Sequence, residues 1–431
     1  DEIQDFTQVE TAIIINFCKD PNRLVLAGDT AQNICSGISF RFEDIKSMFY
    51  KLNESLIKEN EVRNNILEDA EVLEIAVGKK WKTKTKSINV PSEKDGTFCH
   101  LNLNFRSHDG VLLLAASVVE LLYEFFPVSI DKLDPDNGIK DGPKPVLFKS
   151  GNGHDLLMML LGSRDTSTKV PFGASQAILV RSKDAIKALP KELSVHPLIL
   201  TINESKGLEF DGILLYNFFK NSKATEKTWR CIAKYMDRHK HKSMQTVDGE
   251  MSHEEFQTYC DEMKRKLRSR AKDFEETSDR ILESELKLLY TAITRAKSNV
   301  WIFDDDDNKS IPMFEYFERR KLVKIVQSIE DSQNANANIA QSATNGAYEW
   351  IKQARVFEKS ASIKKEYEER KRFYKLAKGC YDKAVEENNI AMKTNADLIT
   401  SIKKEEDDYE DVINEGMINL NFDKTSSSNN R

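Results

Sequence analysis

The chain has 431 residues, of which 31% are charged and 40% are hydrophobic, and its formal net charge is −6. This length is sufficient for two or three domains. The mildly acidic net charge does not itself indicate nucleic-acid binding, although it is compatible with a local basic groove. No apolar run approaches the roughly 20 residues that span a membrane, and no secretory signal is recognisable. We therefore expect an intracellular protein, nuclear or cytoplasmic, without a membrane partner.

The first residues, Asp1-Glu2-Ile3-Gln4-Asp5, suit a site for a metal ion and a phosphate. A hard carboxylate oxygen, as in Asp1, is the ligand that Mg²⁺ prefers. The neighbouring Glu2 is suited to orienting an attacking water molecule. An acidic, frayed terminus is the alternative interpretation of the same pair.

A β-α-β unit is predicted next. A capping box at Thr7 and Glu10 indicates the start of a helix. Arg23–Ala27 is predicted to be a strand, and Gly28-Asp29-Thr30-Ala31-Gln32 follows it. Because parallel strands end at the same edge of a sheet, this last segment is expected close to Asp1.

The region that follows is predicted to be mostly helical. Residues 40–77 are heavily charged, and their apolar positions recur at helical spacing, so one face is expected to pack in a core. Part of the segment Ile34–His100 is interpreted as an insertion. Its basic run, Lys79–Lys86, has two explanations: a contact to nucleic acid or, more commonly, a solvated loop.

The segment Leu101-Asn-Leu-Asn-Phe-Arg-Ser107 precedes an apolar helix that is predicted to end before Pro127. Ser107 is the predicted N-cap of this helix. Arg106 stands just before the cap. Its forked and permanently charged guanidinium suits a phosphate better than a lysine does.

A polar loop, Ser205-Lys206-Gly207, separates two apolar runs, Pro197–Ile202 and Ile213–Phe219. Together with Ala177–Ser182, these runs are typical of strands that are buried on both faces of a parallel sheet. Ligands collect at the carboxyl ends of such strands, which is where the loop is predicted to lie.

The polar segment Asn221–Ser278 is predicted to be a helical insertion with two basic clusters, Lys234–Lys242 and Lys264–Lys272. A solvated amphipathic helix is the simplest interpretation, and a surface that faces nucleic acid is the alternative.

Another helix is predicted in Leu286–Lys297, with Arg295 at its end, followed by a strand over Asn299–Phe303. Asp304–Asp307 is interpreted as a solvated loop. The apolar residues at helical spacing that are expected to pack on the sheet are Leu282, Leu286, Leu289 and Ile293.

The C-terminal part is predicted to be a linker, a helical hairpin and a tail. Residues 331–346 are rich in Asn, Gln, Ala and Ser, as linkers are. In residues 347–400, apolar and small residues recur as in the two helices of a tetratricopeptide-type repeat, and this hairpin is a possible surface for protein partners. The tail, 401–431, is acidic and then Ser/Asn-rich, which predicts disorder.

In order and spacing, five of these segments resemble motifs of UvrD-like superfamily 1 helicases: Asp1–Asp5, Gly28–Gln32, Leu101–Ser107, Thr201–Asp211 and Leu286–Lys297. Asn203 stands where that family normally has His. The segment from Gly28 to Asp44 is similar to the helicase portion of large tetratricopeptide- and ankyrin-repeat-containing helicase-like proteins.

The resemblance implies an α/β fold with RecA-like parallel sheets of the P-loop NTPase type, charged helical insertions and a helical C-terminal tail. It implies that residues 1–100 are the end of a first RecA-like domain with a helical insertion. Residues 101–330 are then the second such domain, with an insertion at about 221–278.

The resemblance also implies residue roles. Catalytic roles fall to Glu2, Gln32, Arg106 and Arg295. Contacts to ATP fall to Asp1, Gln32, Arg106, Glu209 and Arg295, with Mg²⁺ held by Asp1. Contacts to single-stranded DNA or RNA fall to Thr201, Ser205 and Lys206. The implied activity is ATP-dependent movement along a single strand.

A different class of function stays open, namely an inactive helicase-like scaffold that binds protein partners through its helical parts. The phosphate-binding pattern Gly-x-x-x-x-Gly-Lys-Ser/Thr does not occur in the 431 residues. We therefore expect that this chain, taken by itself, does not hydrolyse ATP.

Overall fold

The structure is a computed structural model that describes residues 1–34, 40–74, 88–92, 94, 97–131, 135–149, 172–238, 273–327 and 346–391. Within these, residues 59–74, 238, 278 and 388–391 are described by their backbone alone. The predicted basic runs Lys79–Lys86 and Lys264–Lys272 and the predicted tail lie outside the described residues, as does nearly all of the predicted linker.

Helices and strands alternate along most of the described chain. The helices are α1 Gln8–Phe17, α2 Phe42–Glu74, α3 Asp109–Phe125, α4 Lys183–Lys187, α5 Lys191–Ser194, α6 Glu226–Arg238, α7 Glu276–Asp279, α8 Ile281–Ile293, α9 Asp307–Arg319, α10 Ala347–Ile363 and α11 Tyr367–Ala391. The strands are β1 Leu103–Asn104, β2 Asn137–Gly138, β3 Val146–Phe148, β4 Gln176–Val180, β5 Ile199–Thr201, β6 Phe210–Tyr216, β7 Ala296–Phe303 and β8 Lys324–Val326.

The chain divides into two compact units, each made of separate segments. The first unit comprises Asp1–Pro145, Ser222–Ser298 and Asp306–Lys324. The second unit comprises Val146–Asn221, Asn299–Asp305 and Ile325–Arg431. Because neither unit is continuous in the chain, the predicted domain boundaries at 100 and 330 stay a prediction.

In the first unit, α3 packs against α8 through apolar faces. Four residues of α8 at helical spacing have no exposed surface, so their predicted burial is confirmed, but the contact shown is with α3 and not with the sheet: Leu282, Leu286, Leu289 and Ile293. The predicted capping box is also present, because the Thr7 hydroxyl accepts from the Glu10 N–H while the Glu10 carboxylate accepts from the Thr7 N–H.

The second unit contains a six-stranded sheet with the order β5-β4-β6-β7-β3-β8. The pairs β4–β5, β4–β6 and β3–β7 are parallel. All of β4 and nearly all of β6 are buried, as two-sided burial in a parallel sheet requires. The prediction of a mixed α/β fold is confirmed, and this sheet is consistent with a RecA-like helicase fold.

Two local predictions in the first unit are wrong. Arg23–Ala27 is not a strand, because a short 3₁₀ turn covers Pro21–Arg23 and extended residues follow it. The Ile3 N–H donates a hydrogen bond to the Ala27 carbonyl at 3.0 Å. Ser107 is not the N-cap of α3, because His108 occupies that position. The Ser107 hydroxyl instead donates to the Ala296 carbonyl at 2.9 Å.

The run Asp304–Asp307 is not a solvated loop. Asp304 is only 2% exposed, and its carboxylate accepts from the backbone N–H groups of Phe219, at 2.6 Å, and Lys220, at 3.2 Å. Asp306 caps the start of α9 by accepting from the Lys309 N–H. The acidic residues of this run therefore satisfy backbone donors, which a count of charges does not reveal.

The C-terminal helices α10 and α11 form the predicted hairpin in the second unit. Its packing residues are all buried: Trp350, Ala354, Phe357, Ala377, Tyr381 and Ala384. None of the helices in the described part of the chain combines the length and the apolar character that a membrane span needs.

Because of His196, in the second unit, the free energy of unfolding is expected to decrease as the pH falls. Burial lowers the pKa of its ring to about 4, although the hydrogen bond at 2.8 Å to the Gln176 carbonyl opposes this shift. The unfolded chain takes up a proton near its ordinary pKa of about 6.5, so the stabilisation present above that pH is lost as the pH falls towards 4. Because His196 as a whole is only partly buried, we expect a loss of at most about 3 kcal/mol.

The measurement is the free energy of unfolding in denaturant at pH values between 7 and about 4. His196→Gln cannot take up a proton and is expected to flatten the dependence, whereas His100→Gln, at an exposed position, is the matched control. Equal slopes for the unmodified chain and His196→Gln would contradict the assignment.

Candidate functional site

The N-terminal acidic residues are joined to the segment after Arg23–Ala27 by the side chain of Gln4. This side chain is 1% exposed, accepts from the Asp29 N–H at 3.2 Å and donates to the Glu2 carboxylate. Glu2 has a φ of 57°, which is rare for a residue with a side chain and is found preferentially at functional sites. Asp1 is exposed, and its Oδ1 accepts from the Glu2 N–H at 3.0 Å.

Asp29 holds the short 3₁₀ turn that carries Gln32. Its Oδ1 accepts from the Ala31 N–H at 2.9 Å. Its Oδ2 accepts both from Gln32 Nε2, at 3.0 Å, and from the Tyr290 hydroxyl, at 2.9 Å. Burial, reinforced by the negative charge of Asp29, raises the pKa of Tyr290 well above its usual value, so the hydroxyl stays protonated and donates.

Gln32 and Arg295 are in direct contact in the first unit. The Gln32 Oε1 atom accepts from Arg295 Nη2 at 2.8 Å. Because the amide nitrogen of Gln32 is used by Asp29, the orientation of the amide is determined by its two neighbours. Arg295 is 2% exposed, and its Nε donates to the Thr291 carbonyl in the last turn of α8 at 3.1 Å.

Arg106 reaches the same place. Its Nη2 donates to the carbonyl of Thr294, the residue before Arg295, at 3.4 Å. Asn104 positions it, because the Asn104 Oδ1 accepts from the backbone N–H groups of Arg106 and Ser107 at 3.0 and 2.9 Å. Such an Asx turn organises the loop without a regular element.

The structure thus brings together three of the residues singled out in the sequence, namely Gln32, Arg106 and Arg295, and links Glu2 to them through Gln4 and Asp29. Two guanidinium groups, those of Arg106 and Arg295, thus lie near Gln32, and guanidinium groups suit an anionic group with several oxygens. Asp1 is tied to this cluster through the backbone of Glu2.

The remaining predicted site residues lie in a loop of the second unit. Thr201 and Glu204 bond reciprocally, through the Thr201 N–H to Glu204 Oε2 at 2.8 Å and the Glu204 N–H to Thr201 Oγ1 at 3.2 Å. Ser205 is fully buried, and its hydroxyl donates to the Ile202 carbonyl at 2.7 Å. The hydroxyls of Thr201 and Ser205 therefore stabilise the turn. Lys206, which is partly exposed, is the third residue predicted to contact single-stranded nucleic acid.

The loop ends in a conformation that favours glycine, since Gly207 has a φ of 80°, although the space around the place of a Cβ is open. Glu209 is exposed just before β6. It belongs to the second unit, whereas Gln32, Arg106 and Arg295 belong to the first.

Sequence reasoning missed five residues that position the others: Gln4, Asp29, Asn104, Glu204 and Tyr290. Each lies inside one of the segments that were singled out, so the segments themselves were the signal. The bond between Tyr290 and Asp29 could not be found from local pattern, because it joins residues 261 positions apart.

Comparison with known proteins supports the resemblance. Residues 197–304, from the strand β5 to the end of β7, match the family model of the UvrD-like helicase C-terminal domain. This part of the chain is therefore similar to the C-terminal domain of UvrD-like helicases. It includes the loop Thr201–Gly207 and the helix α8 that precedes Arg295.

A curated relative matches nearly the whole chain. The TPR and ankyrin repeat-containing protein 1 of Homo sapiens is 36% identical over 410 residues, which is 94% of this chain. The chain spans 12% of the length of that protein. The predicted resemblance to the helicase portion of repeat-containing proteins of this kind is confirmed.

Proposed function

We propose that this chain is part of an ATP-dependent helicase or translocase of UvrD type that acts on single-stranded nucleic acid. The observation that carries the proposal is the hydrogen bond between Gln32 and Arg295, two side chains 263 positions apart. It supports the proposal because the two residues come from separate helicase-like segments and meet in one donor-rich cluster.

Each residue of the cluster has a chemical task in this proposal. Arg295 and Arg106 supply guanidinium groups that neutralise charge on phosphate oxygens, and Gln32 contacts the terminal phosphate. In the present arrangement Arg295 donates to Gln32 and Thr291, so a phosphate would replace protein acceptors with a stronger, charged one. Glu2 orients the water molecule that attacks the phosphate.

The donor set fits ATP and is compatible with Mg²⁺. Among the described residues there is no group of three or more His, Cys, Asp and Glu side chains arranged for a metal ion. Magnesium bound with a nucleotide uses one or two protein carboxylates together with phosphate oxygens and water. Asp1 would hold it, and the bound ion would neutralise charge on the phosphate oxygens.

The direct test is phosphate release by the full-length protein in the presence of ATP, Mg²⁺ and a single-stranded oligonucleotide. We expect turnover that the oligonucleotide stimulates and that Glu2→Gln abolishes, because glutamine does not orient and polarise water as a carboxylate does. Release that is absent, or that is equal in Glu2→Gln, would overturn the proposal and favour an inactive scaffold.

Single-strand binding through the loop Thr201–Lys206 is expected to weaken steeply as salt rises, because phosphate contacts release counterions. Lys206→Ala removes one such contact. We expect a lower affinity for every sequence and a salt slope that is smaller by about 0.7. Fluorescence anisotropy of labelled single-stranded DNA and RNA at a series of salt concentrations measures both quantities.

The matched control is Lys191→Ala, which removes the same charge from the exposed surface of α5 in the same unit. This variant is expected to keep the affinity and the slope of the unmodified chain. If Lys206→Ala and Lys191→Ala behave alike, Lys206 does not contact the strand.

A further inference from the structure

The C-terminal hairpin covers the edge of the sheet in the second unit. β5 is the edge strand, and one side of its backbone pairs with β4. On that side the carbonyl of Leu198, the residue just before β5, accepts from the Ile178 N–H of β4 at 2.9 Å. The next carbonyl, that of Ile199, is on the opposite side of the strand, away from β4. It accepts from Arg372 Nη2 of α11 at 2.7 Å, so the guanidinium occupies a place where a further strand would pair.

The same guanidinium reaches the loop that follows β5. Arg372 Nε donates to Glu204 Oε1 at 3.4 Å, while Glu204 Oε2 accepts from the Thr201 N–H at 2.8 Å. The carboxylate of Glu204 is thereby shared between the loop and the hairpin. Its side chain is 12% exposed, so the pair is largely protected from water and from salt.

We propose that Arg372 is a positioning residue for the loop Thr201–Lys206, and that the C-terminal hairpin controls through it how the loop binds single-stranded nucleic acid. The inference deepens the proposed function and rests on it for the identity of the ligand. The carrying observation is that one guanidinium bonds both the carbonyl of Ile199, the first residue of β5, and the carboxylate of Glu204 in the loop.

Two physical effects connect Arg372 with the ligand. The first is order: Glu204 closes the turn only while its carboxylate stays at the Thr201 N–H, and Arg372 holds it there. The second is charge. Glu204 lies two residues from Lys206, and without a partner its negative charge would repel the phosphates that Lys206 attracts. Arg372 neutralises that charge, so the local field near Lys206 stays positive.

The hairpin has other anchors in the same unit, so a change at Arg372 should not detach it. The ring centroids of Trp350 and His196 are 6.1 Å apart. Gly379 of α11 lies so close to Pro197 that a Cβ at Gly379 would be 3.0 Å from the proline Cβ. Arg372 also lines a cavity of about 380 Å³. Shortening its side chain therefore enlarges existing space and opens no new hole in the core.

The experiment compares three single substitutions and one double variant in the full chain. Arg372→Ala removes the guanidinium, Glu204→Gln keeps the hydrogen-bonding shape and removes the charge, and Lys375→Ala is the control. Lys375 is exposed one turn further along α11, so its loss changes the net charge as Arg372→Ala does. Affinities for a labelled single-stranded oligonucleotide are measured by anisotropy at low and at moderate salt.

We expect Arg372→Ala to weaken binding about tenfold, a change of about 1.4 kcal/mol, because the loop loses a positioning contact and the charge of Glu204 is no longer neutralised. Lys375→Ala is expected to change the affinity less than about twofold, within the range of exposed charges. In the double variant Arg372→Ala with Glu204→Gln, much of the loss should be recovered, because the repulsive carboxylate is gone. A merely structural role of Arg372 predicts no such recovery.

Amide hydrogen exchange provides a readout that does not need the ligand. The N–H groups of Ser205, Lys206 and Leu208 bond to carbonyls inside the loop at 3.0, 3.3 and 2.9 Å. In Arg372→Ala these three amides should exchange faster, while the amides inside α10 and α11 keep their protection. If Arg372→Ala changes neither the exchange rates of the loop amides nor the affinity, the inference is overturned, while the proposal that the loop binds single-stranded nucleic acid is unaffected.

The failure of the proposed function has a different signature. If the unmodified chain binds no single strand at low salt, the ligand assigned here is wrong. If it binds and Arg372→Ala binds equally well, the proposed function stands and the control by the hairpin is refuted.

Discussion

Replacement of Arg295 by alanine is expected to lower ATP turnover by the full-length protein by about 10³–10⁵-fold while nucleotide binding is largely retained. The reason is that a guanidinium at the terminal phosphate stabilises charge that develops in the transition state more than charge in the ground state. The contact of Arg295 with Gln32 places the side chain inside the cluster and not at the surface. Phosphate release and binding of a fluorescent ATP analogue are measured side by side.

The matched control is Arg280→Ala, which removes an exposed arginine at the start of α8, the helix that ends before Arg295. It is expected to leave kcat unchanged. Arg295→Lys keeps the positive charge but loses the paired N–H donors of the guanidinium, and its kcat should lie between those of Arg295→Ala and the unmodified protein. A kcat for Arg295→Ala that equals that of the unmodified protein would remove Arg295 from the site.

Asp304→Ala is expected to lower the free energy of unfolding by about 2–4 kcal/mol. The buried carboxylate accepts from the backbone N–H groups of Phe219 and Lys220, and alanine would leave these donors without their acceptor. Lys220 also forms an ion pair with the neighbouring Asp305 at 2.8 Å, which alanine at position 304 leaves in place. Denaturant unfolding, followed by circular dichroism, measures the loss.

Two further variants isolate the cause. Asp304→Asn keeps one carbonyl oxygen as an acceptor and should cost less than alanine. Asp307→Ala, in the exposed first turn of α9, removes the same charge from the same acidic run and should cost no more than about 1 kcal/mol. Equal losses for Asp304→Ala and Asp307→Ala would restore the interpretation of the run as a solvated loop.

The regular elements could be predicted where the local pattern has one physical solution. Leu282, Leu286, Leu289 and Ile293 recur at the helical period, and a helix with such a stripe must bury it. The apolar runs of β4 and β6 have no polar face, so only two-sided burial suits them. In both cases the necessary information lies within a few neighbouring residues.

The parts that could not be predicted depend on partners far away in the chain. Ser107 is a good cap by type, but its hydroxyl is used by the Ala296 carbonyl, which is 189 positions away. Asp304 looks solvated in a run of four acidic residues, and its burial follows from two N–H groups of a loop 84 and 85 positions earlier. The bond from Arg372 to Glu204 spans 168 positions.

The amide of Gln32 has a consequence for how these residues can change during evolution. It must donate to an anion, Asp29, and accept from a cation, Arg295. A glutamate would face Asp29 with a like charge, an asparagine is one methylene shorter, and a lysine offers Arg295 no acceptor. Of these four side chains only glutamine meets both demands, so a lineage that loses Arg295 or Asp29 no longer needs Gln32 for this contact. Among descendants of this chain, we expect the three positions to be retained together or to drift together.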